Sequence, residues 1–238
     1  MNYKFTEEYI KKDWQFFLAN MMGPNAMRVA EELASYLDIK KGMRILDLGC
    51  GMGLSSILLK QKYDTQVFAA DLWINPTDNC QRFEKLGLDN IIPISIDATK
   101  GLPFAQSYFD ILFSVDSYHY YGNNEKMLPS LVPHVKKGGY IAIAVPGLKK
   151  DLIDGVPPEE MKPFWQDDMH FYSTGWWEKL WSKCKDVKIV DCREMQACEK
   201  AWSEWLLSPN PYAQNDVKMM QVENGQYFNL VQIIAQVL

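Results

Sequence analysis

The stretch Arg44-Ile-Leu-Asp-Leu-Gly-Cys-Gly-Met-Gly53 decides how this chain reads. A short apolar run ends around Asp47, three glycines follow at alternate positions, and Leu54 to Lys60 has a helical pattern. That is a strand feeding a glycine-rich turn that opens a helix, the geometry that cradles a nucleotide-like ligand. Gly49, Gly51 and Gly53 let the backbone turn tightly and approach a ligand where a Cβ would obstruct it. The turn is expected to be a binding site.

Charge narrows the ligand. A dinucleotide would set its pyrophosphate at this turn, where a helix N-terminus favours an anion. Asp47 lies two residues before the first glycine, where a carboxylate repels a pyrophosphate and attracts an ammonium or sulfonium. Position 54 is Leu, so the G-x-G-x-x-G spacing fails. A cationic adenosine compound suits the turn better than NAD does.

These residues resemble the first motif of the class I S-adenosylmethionine-dependent methyltransferases, and the resemblance continues at family intervals over roughly residues 25 to 146. Val67-Phe-Ala-Ala-Asp71 is similar to the second strand, whose acidic end accepts hydrogen bonds from both ribose hydroxyls. Ile94-Ser-Ile-Asp97-Ala98, followed by Leu102-Pro-Phe104, is similar to the third motif, where the Asp meets the adenine amino group. Phe109 to Asp116 looks like the fourth strand, and Val135 to Val145 like the turn and fifth strand. The resemblance implies that Asp47, Gly49, Cys50, Gly51 and Gly53 contact the cofactor, joined by Asp71 with Leu72, Asp97 with Ala98, and Asp116. Cys50 is then a small spacer in the turn rather than a nucleophile.

The implied fold is α/β: a doubly wound, seven-stranded, mostly parallel Rossmann-like sheet with a C-terminal antiparallel strand and an inserted substrate cap. Strands alternating with helices from Arg44 to Val145 agree with it. The whole of 1–238 reads as one methyltransferase domain. Residues 1–37 form an N-terminal helical lid, 38–147 the cofactor-binding core, and 148–172 with 196–224 the substrate cap. Thr6 is expected to cap a helix with apolar residues at 10, 14, 17 and 18, which Gly23-Pro24 ends; Ala26 to Leu37 form a second helix. Beyond Pro146 the pattern predicts a helix over Ser173 to Cys184, a sixth strand over Val187 to Cys192, an irregular stretch from about 196 to 224, and a last strand over Tyr227 to Leu238.

Composition fits a soluble globular chain: 238 residues, 47% apolar and 23% charged. The net charge of −5 and a pI near 5.3 argue against a nucleic-acid partner. After the fourth strand the chain reads Asp116-Ser-Tyr-His-Tyr-Tyr121, without the Asn-Pro-Pro-Tyr-type motif of amino-methylating nucleic-acid enzymes. Five cysteines with no C-x-x-C pair, and three histidines, give neither a disulfide framework nor a metal-ligand cluster. No metal is expected, and no cofactor beyond S-adenosylmethionine. The N-terminus lacks an apolar signal core and no run approaches membrane-spanning length, so the expectation is a cytoplasmic monomer or homodimer with no membrane or nucleic-acid partner.

The acceptor is expected to be a small molecule. Six of the eight tryptophans lie between 165 and 205, and aromatic walls suit an apolar or planar substrate or, through cation–π contact, an amine. Trp165, His170, Tyr172 and Trp202 are the expected substrate contacts, whereas Trp176, Trp177, Leu180 and Trp181 follow helical spacing, compatible with core. Methyl transfer asks chiefly for positioning, with a general base where the acceptor carries a proton. His119, just past the fourth strand, is the first candidate base, with Asp116 and Tyr120 as neighbours that orient it or contact the acceptor; His170 is the second. A cofactor-binding but non-catalytic regulatory or scaffold module is the alternative, and an NAD-dependent oxidoreductase a third reading that Asp47 opposes.

Overall fold

The computed structural model describes residues 3–166 and 169–238. The chain opens with helices α1 (Lys4–Lys12), α2 (Trp14–Asn20) and α3 (Ala26–Ala34), then enters the sheet with β1 (Arg44–Leu48). Next come α4 (Leu54–Tyr63), β2 (Gln66–Asp71), α5 (Pro76–Lys85), β3 (Ile91–Ser95) and β4 (Phe109–Val115). After the short α6 (Met127–Leu131) the chain continues through β5 (Val135–Leu148), α7 (Thr174–Trp181), β6 (Val187–Glu194), α8 (Cys198–Trp205), α9 (Pro211–Glu223) and β7 (Phe228–Val237).

The strands form one seven-stranded sheet in the order β3-β2-β1-β4-β5-β7-β6. Pairing is parallel from β3 to β5, and β7 is antiparallel to both β5 and β6. The order reverses between β1 and β4, so the loops leaving their C-terminal ends diverge and open the crevice where ligands bind in such sheets. Two-residue alternation sorts the side chains: Ile45, Ile111, Phe113 and Val115 join the core under α3 and α4, while Leu46, Leu48 and Leu112 join the core under α6 and α7.

Two expectations need correction. The single first helix is broken at Asp13, whose side chain accepts from the Phe16 N–H at 2.9 Å and so caps a separate α2; Thr6 is buried inside α1 rather than capping it. The stretch 196–224 is largely helical. Asn210 accepts from the Tyr212 N–H at 3.0 Å, Pro211 occupies the first turn of α9, and Asn224 ends that helix in the left-handed region.

These added helices tie the N-terminal segment to the rest of the chain. Arg28, 1% exposed, makes a two-point ion pair with Glu204 of α8 at 2.9 and 2.6 Å and reaches Glu7 of α1 at 2.9 Å. The Glu32 carboxylate accepts from the Gln196 and Ala197 N–H groups at 2.8 and 2.7 Å. The segment joining α2 to α3 is strapped down in turn, because Ser208 donates to the Leu18 carbonyl at 2.8 Å and Asn210 to the Met21 carbonyl at 3.2 Å.

Candidate active site

The glycine turn is built by close approach. The Gly49 and Cys50 N–H groups donate to the Ala70 carbonyl at 2.8 and 3.0 Å, folding the turn back over the end of β2. All three glycines have positive φ, and added methyl groups would collide: at Gly49 with Ser117, at Gly53 with the Phe83 ring, at Gly51 with the Met22 sulfur. Asp71 fastens the turn to the next loop by accepting from the Gly51, Trp73 and Ile74 N–H groups at 2.8, 2.8 and 2.9 Å. Asn79 donates to the Gly51 carbonyl at 2.9 Å from the other side.

A cavity of about 250 Å³ lies against this turn at the C-terminal ends of β1, β2 and β4. Gly49, Cys50 and Gly51 form its floor, with Asp71, Leu72 and Trp73 from the loop after β2 and Asp97, Ala98 and Thr99 from the loop after β3. Asp116, Ser117, Tyr120 and Tyr121 enter from the loop after β4, and Asn20, Met22, Gly23 and Ala26 from the N-terminal segment. Gly23 is needed there, since a Cβ on it would sit 1.9 Å from the Asp116 carboxylate. Among the described residues the walls contain three carboxylates and no Lys, Arg or His.

Their surroundings set the carboxylates apart. Asp97 accepts from the Thr99 N–H and hydroxyl and pairs with Lys100 at 3.0 Å, contacts that hold it below the ordinary range. Asp116, in the left-handed region at φ 54°, is partly exposed as a residue, but burial of its carboxylate, followed by the charge of Asp216, raises it to about 8. Asp216, on α9, is itself raised by burial while accepting from the Trp205 indole at 2.8 Å.

The structure separates the expected residues. Gly49, Cys50, Gly51, Asp71, Leu72, Asp97, Ala98, Asp116 and Tyr120 come together around the cavity. Gly53 stands behind the turn, packed on Phe83. Asp47 does not line the cavity: strand alternation puts it on the Ile45 side of β1, where it is fully buried and accepts from the Ser55 and Ser56 hydroxyls of α4 at 2.6 Å each. Burial raises Asp47 to about 6 despite these two bonds. It anchors the helix that follows the turn rather than facing the ligand.

His119 is likewise outside the walls. Its turn, Tyr118 to Tyr121, sends Tyr120 and Tyr121 to the cavity and His119 inward against Phe171, where it is 4% exposed. Burial, then the nearby His170, lowers it to about 3, so it is neutral at physiological pH and a weak base. His170 packs over Gly122. Trp165 packs on Phe171 and Phe228, Trp202 stacks on Phe228, and Tyr172 stacks on Trp176 with ring centroids 3.6 Å apart. None of these four expected substrate contacts lines the cavity; Trp202 belongs to the core under α3 and α4 and Trp165 packs against it, and Tyr172 packs against the core under α6 and α7. The aromatic wall is instead made by Trp73, Tyr120 and Tyr121. Trp73 carried one usable signal in the sequence, a large apolar residue in a loop two positions past the acidic end of a strand.

Known proteins agree with this geometry. Residues 45–139 match the family described as a methyltransferase domain. The methyltransferase GfsG of Streptomyces halstedii is 26% identical over 118 residues, 49% of this chain and 42% of the relative. The glycine/sarcosine/dimethylglycine N-methyltransferase of Actinopolyspora halophila is 26% identical over 149 residues, 62% of this chain and 26% of the relative. The chain thus matches less than half the length of these two relatives. Among solved structures, phosphoethanolamine N-methyltransferase 2 of Haemonchus contortus, in complex with S-adenosyl-L-methionine, superposes with a TM-score of 0.74 at 17% identity, over all of this chain and 60% of that one. Residues 45–139 thus match the methyltransferase-domain family, and the whole chain shares its fold with that solved structure.

Proposed function

We propose that this protein transfers a methyl group from S-adenosylmethionine to a small-molecule acceptor. One observation carries the reading: the cavity on the glycine turn presents Asp71, Asp97 and Asp116 with no cationic side chain in its walls. Such a site favours a positively charged adenosyl compound and opposes a diphosphate. The close-packed glycines leave room for a ligand against bare backbone, and Leu72 and Ile96 offer apolar surface to a planar base beside Asp97. Asp71 would hold ribose hydroxyls while its backbone bonds keep it oriented.

When bound, S-adenosylmethionine supplies a methyl group already activated on a sulfonium. The chain therefore has to position, desolvate and move a proton. Met22 and Gly23 line the cavity and would serve as its lid, with Arg82 of α5 holding that segment by donating to Asn20 at 2.6 Å. Asp116 replaces His119 as the candidate base, since it lines the cavity and His119 does not, and its ionised form, which grows as pH rises through about 8, accepts a proton. Isothermal calorimetry tests the reading: S-adenosylmethionine and S-adenosylhomocysteine are expected to bind with one site, and a null result with both would refute it.

A further inference from the structure

The proposed reaction leaves the acceptor open, and the cavity mouth constrains it. Met22, Leu72, Trp73 and Tyr120 all line the cavity and are 40%, 55%, 64% and 45% exposed. They come from three separate segments: the lid, the loop after β2 and the loop after β4. Trp73 and Tyr120 meet edge to face with ring centroids 4.9 Å apart, bridging the side of the cavity that follows Asp71 to the side that follows Asp116. Four large apolar side chains left in water at one opening are surface that an apolar body would cover.

Below this rim the charge is of one sign. Arg82 is engaged with Asn20 and Asn79, and Lys100 with Asp97. Neither lines the cavity. A carboxylate or phosphate on the acceptor would meet Asp71, Asp97 and, in its ionised form, Asp116, with no cationic side chain among the described residues that line the cavity, and like charges brought together out of water cost several-fold more than they do in it. Acceptors that carry such groups, as the names of the phosphoethanolamine and sarcosine methyltransferases imply for those proteins, are poorly matched here.

Resting on the methyltransferase reading, we infer that the acceptor is an amine with an apolar or aromatic body and no carboxylate or phosphate, its body held by Met22, Trp73 and Tyr120 and its nitrogen directed to Asp116. Asp116 takes the proton the ammonium must shed before its lone pair forms the new C–N bond, the C–S electron pair staying on sulfur. Trp73 is then a specificity residue, set by the acceptor and not by the cofactor.

Matched pairs test this on the full chain loaded with S-adenosylhomocysteine at pH 9, where Asp116 is ionised: tryptamine against tryptophan, phenethylamine against phenylalanine, ethanolamine against phosphoethanolamine, each by calorimetry. The amine of each aromatic pair is expected to bind about tenfold or more tighter than its acid. Trp73→Ala should weaken phenethylamine at least about fivefold and more than it weakens S-adenosylhomocysteine, and Asp116→Asn should erase most of the amine preference. Acids or phosphoethanolamine binding as well as the amines, or no member of any pair binding to the loaded protein, would overturn the inference alone. Failure to bind S-adenosylhomocysteine would overturn the methyltransferase reading, and this inference with it.

Discussion

Replacing Gly49 by Ala puts the packing of the turn to a quantitative test. Gly49 has φ 73°, and a methyl group there would lie 1.8 Å from the Ser117 hydroxyl oxygen and 2.2 Å from its Cβ. Rotating the serine moves the oxygen but not the Cβ, so side-chain adjustment alone does not relieve the overlap. Overpacking of this kind costs about 1–3 kcal/mol, and holding a non-glycine residue in the left-handed region adds about 1 kcal/mol. The sum, about 2–4 kcal/mol, corresponds to a fall in melting temperature of roughly 4–16 °C for a chain of this size. Ser117→Gly deletes both offending atoms and leaves the Ser117 Cα at 3.7 Å, ordinary contact. The double variant should therefore recover about 1–3 kcal/mol, the packing part alone. Urea unfolding of wild type, both single variants and the double variant measures the coupling directly. Strictly additive effects would refute the assignment of Ser117 as the wall against which the turn is packed.

Other outcomes follow from the site. Asp71→Ala removes the acceptor of three backbone N–H groups and should weaken S-adenosylhomocysteine by about 1–3 kcal/mol in calorimetry; unchanged affinity would exclude Asp71 from the site. With Asp116 near 8, the ionised fraction is about one tenth at pH 7 and nine tenths at pH 9, so kcat/KM for an amine acceptor should rise nearly tenfold over that interval, and a slope of the same size in Asp116→Asn would assign the proton to another group. The same shift means that the folded chain keeps a proton which the unfolded chain releases near pH 4. Its stabilising contribution is complete below that point and is lost as pH rises through about 8, so wild type should lose stability relative to Asp116→Asn across this window. His119 acts oppositely: the unfolded chain binds a proton near pH 6.5 that the folded chain refuses until about 3. Relative to His119→Phe, wild type should lose about 2 kcal/mol between pH 6.5 and 5 in urea melts, and parallel curves would show that His119 is not buried as neutral imidazole.

The sheet was legible because its signals are local. Apolar runs ending in Asp47 and Asp71, followed by a glycine turn and a capped α5, state strand, turn and helix in order, and the parallel core followed without further information. The sites that escaped depend on direction rather than position. Asp47 sits in the right motif, yet the period of two turns its carboxylate toward α4, and the serines that receive it are two ordinary residues in a helix. His119 and Tyr120 are adjacent, and the tight turn from Tyr118 to Tyr121 sends one inward and the other to the cavity. The helical spacing of Trp177 and Trp181 was a true core signal, at 0% and 1% exposed, but tryptophan count misled at Trp165 and Trp202, which pack on Phe228, whereas Trp73, isolated in sequence, stands at the cavity mouth. Cap helices α8 and α9 were missed where short polar turns masked the apolar period, although Asn210-Pro211 was a readable start signal.

Calorimetry that compares S-adenosylmethionine with NADH on the same protein bears most directly on the central claim, that the carboxylates around the cavity on the glycine turn select a cationic adenosyl ligand over a diphosphate. S-adenosylmethionine should bind at one site and NADH should give no heat beyond dilution. Saturable NADH binding that S-adenosylmethionine does not displace would contradict the account.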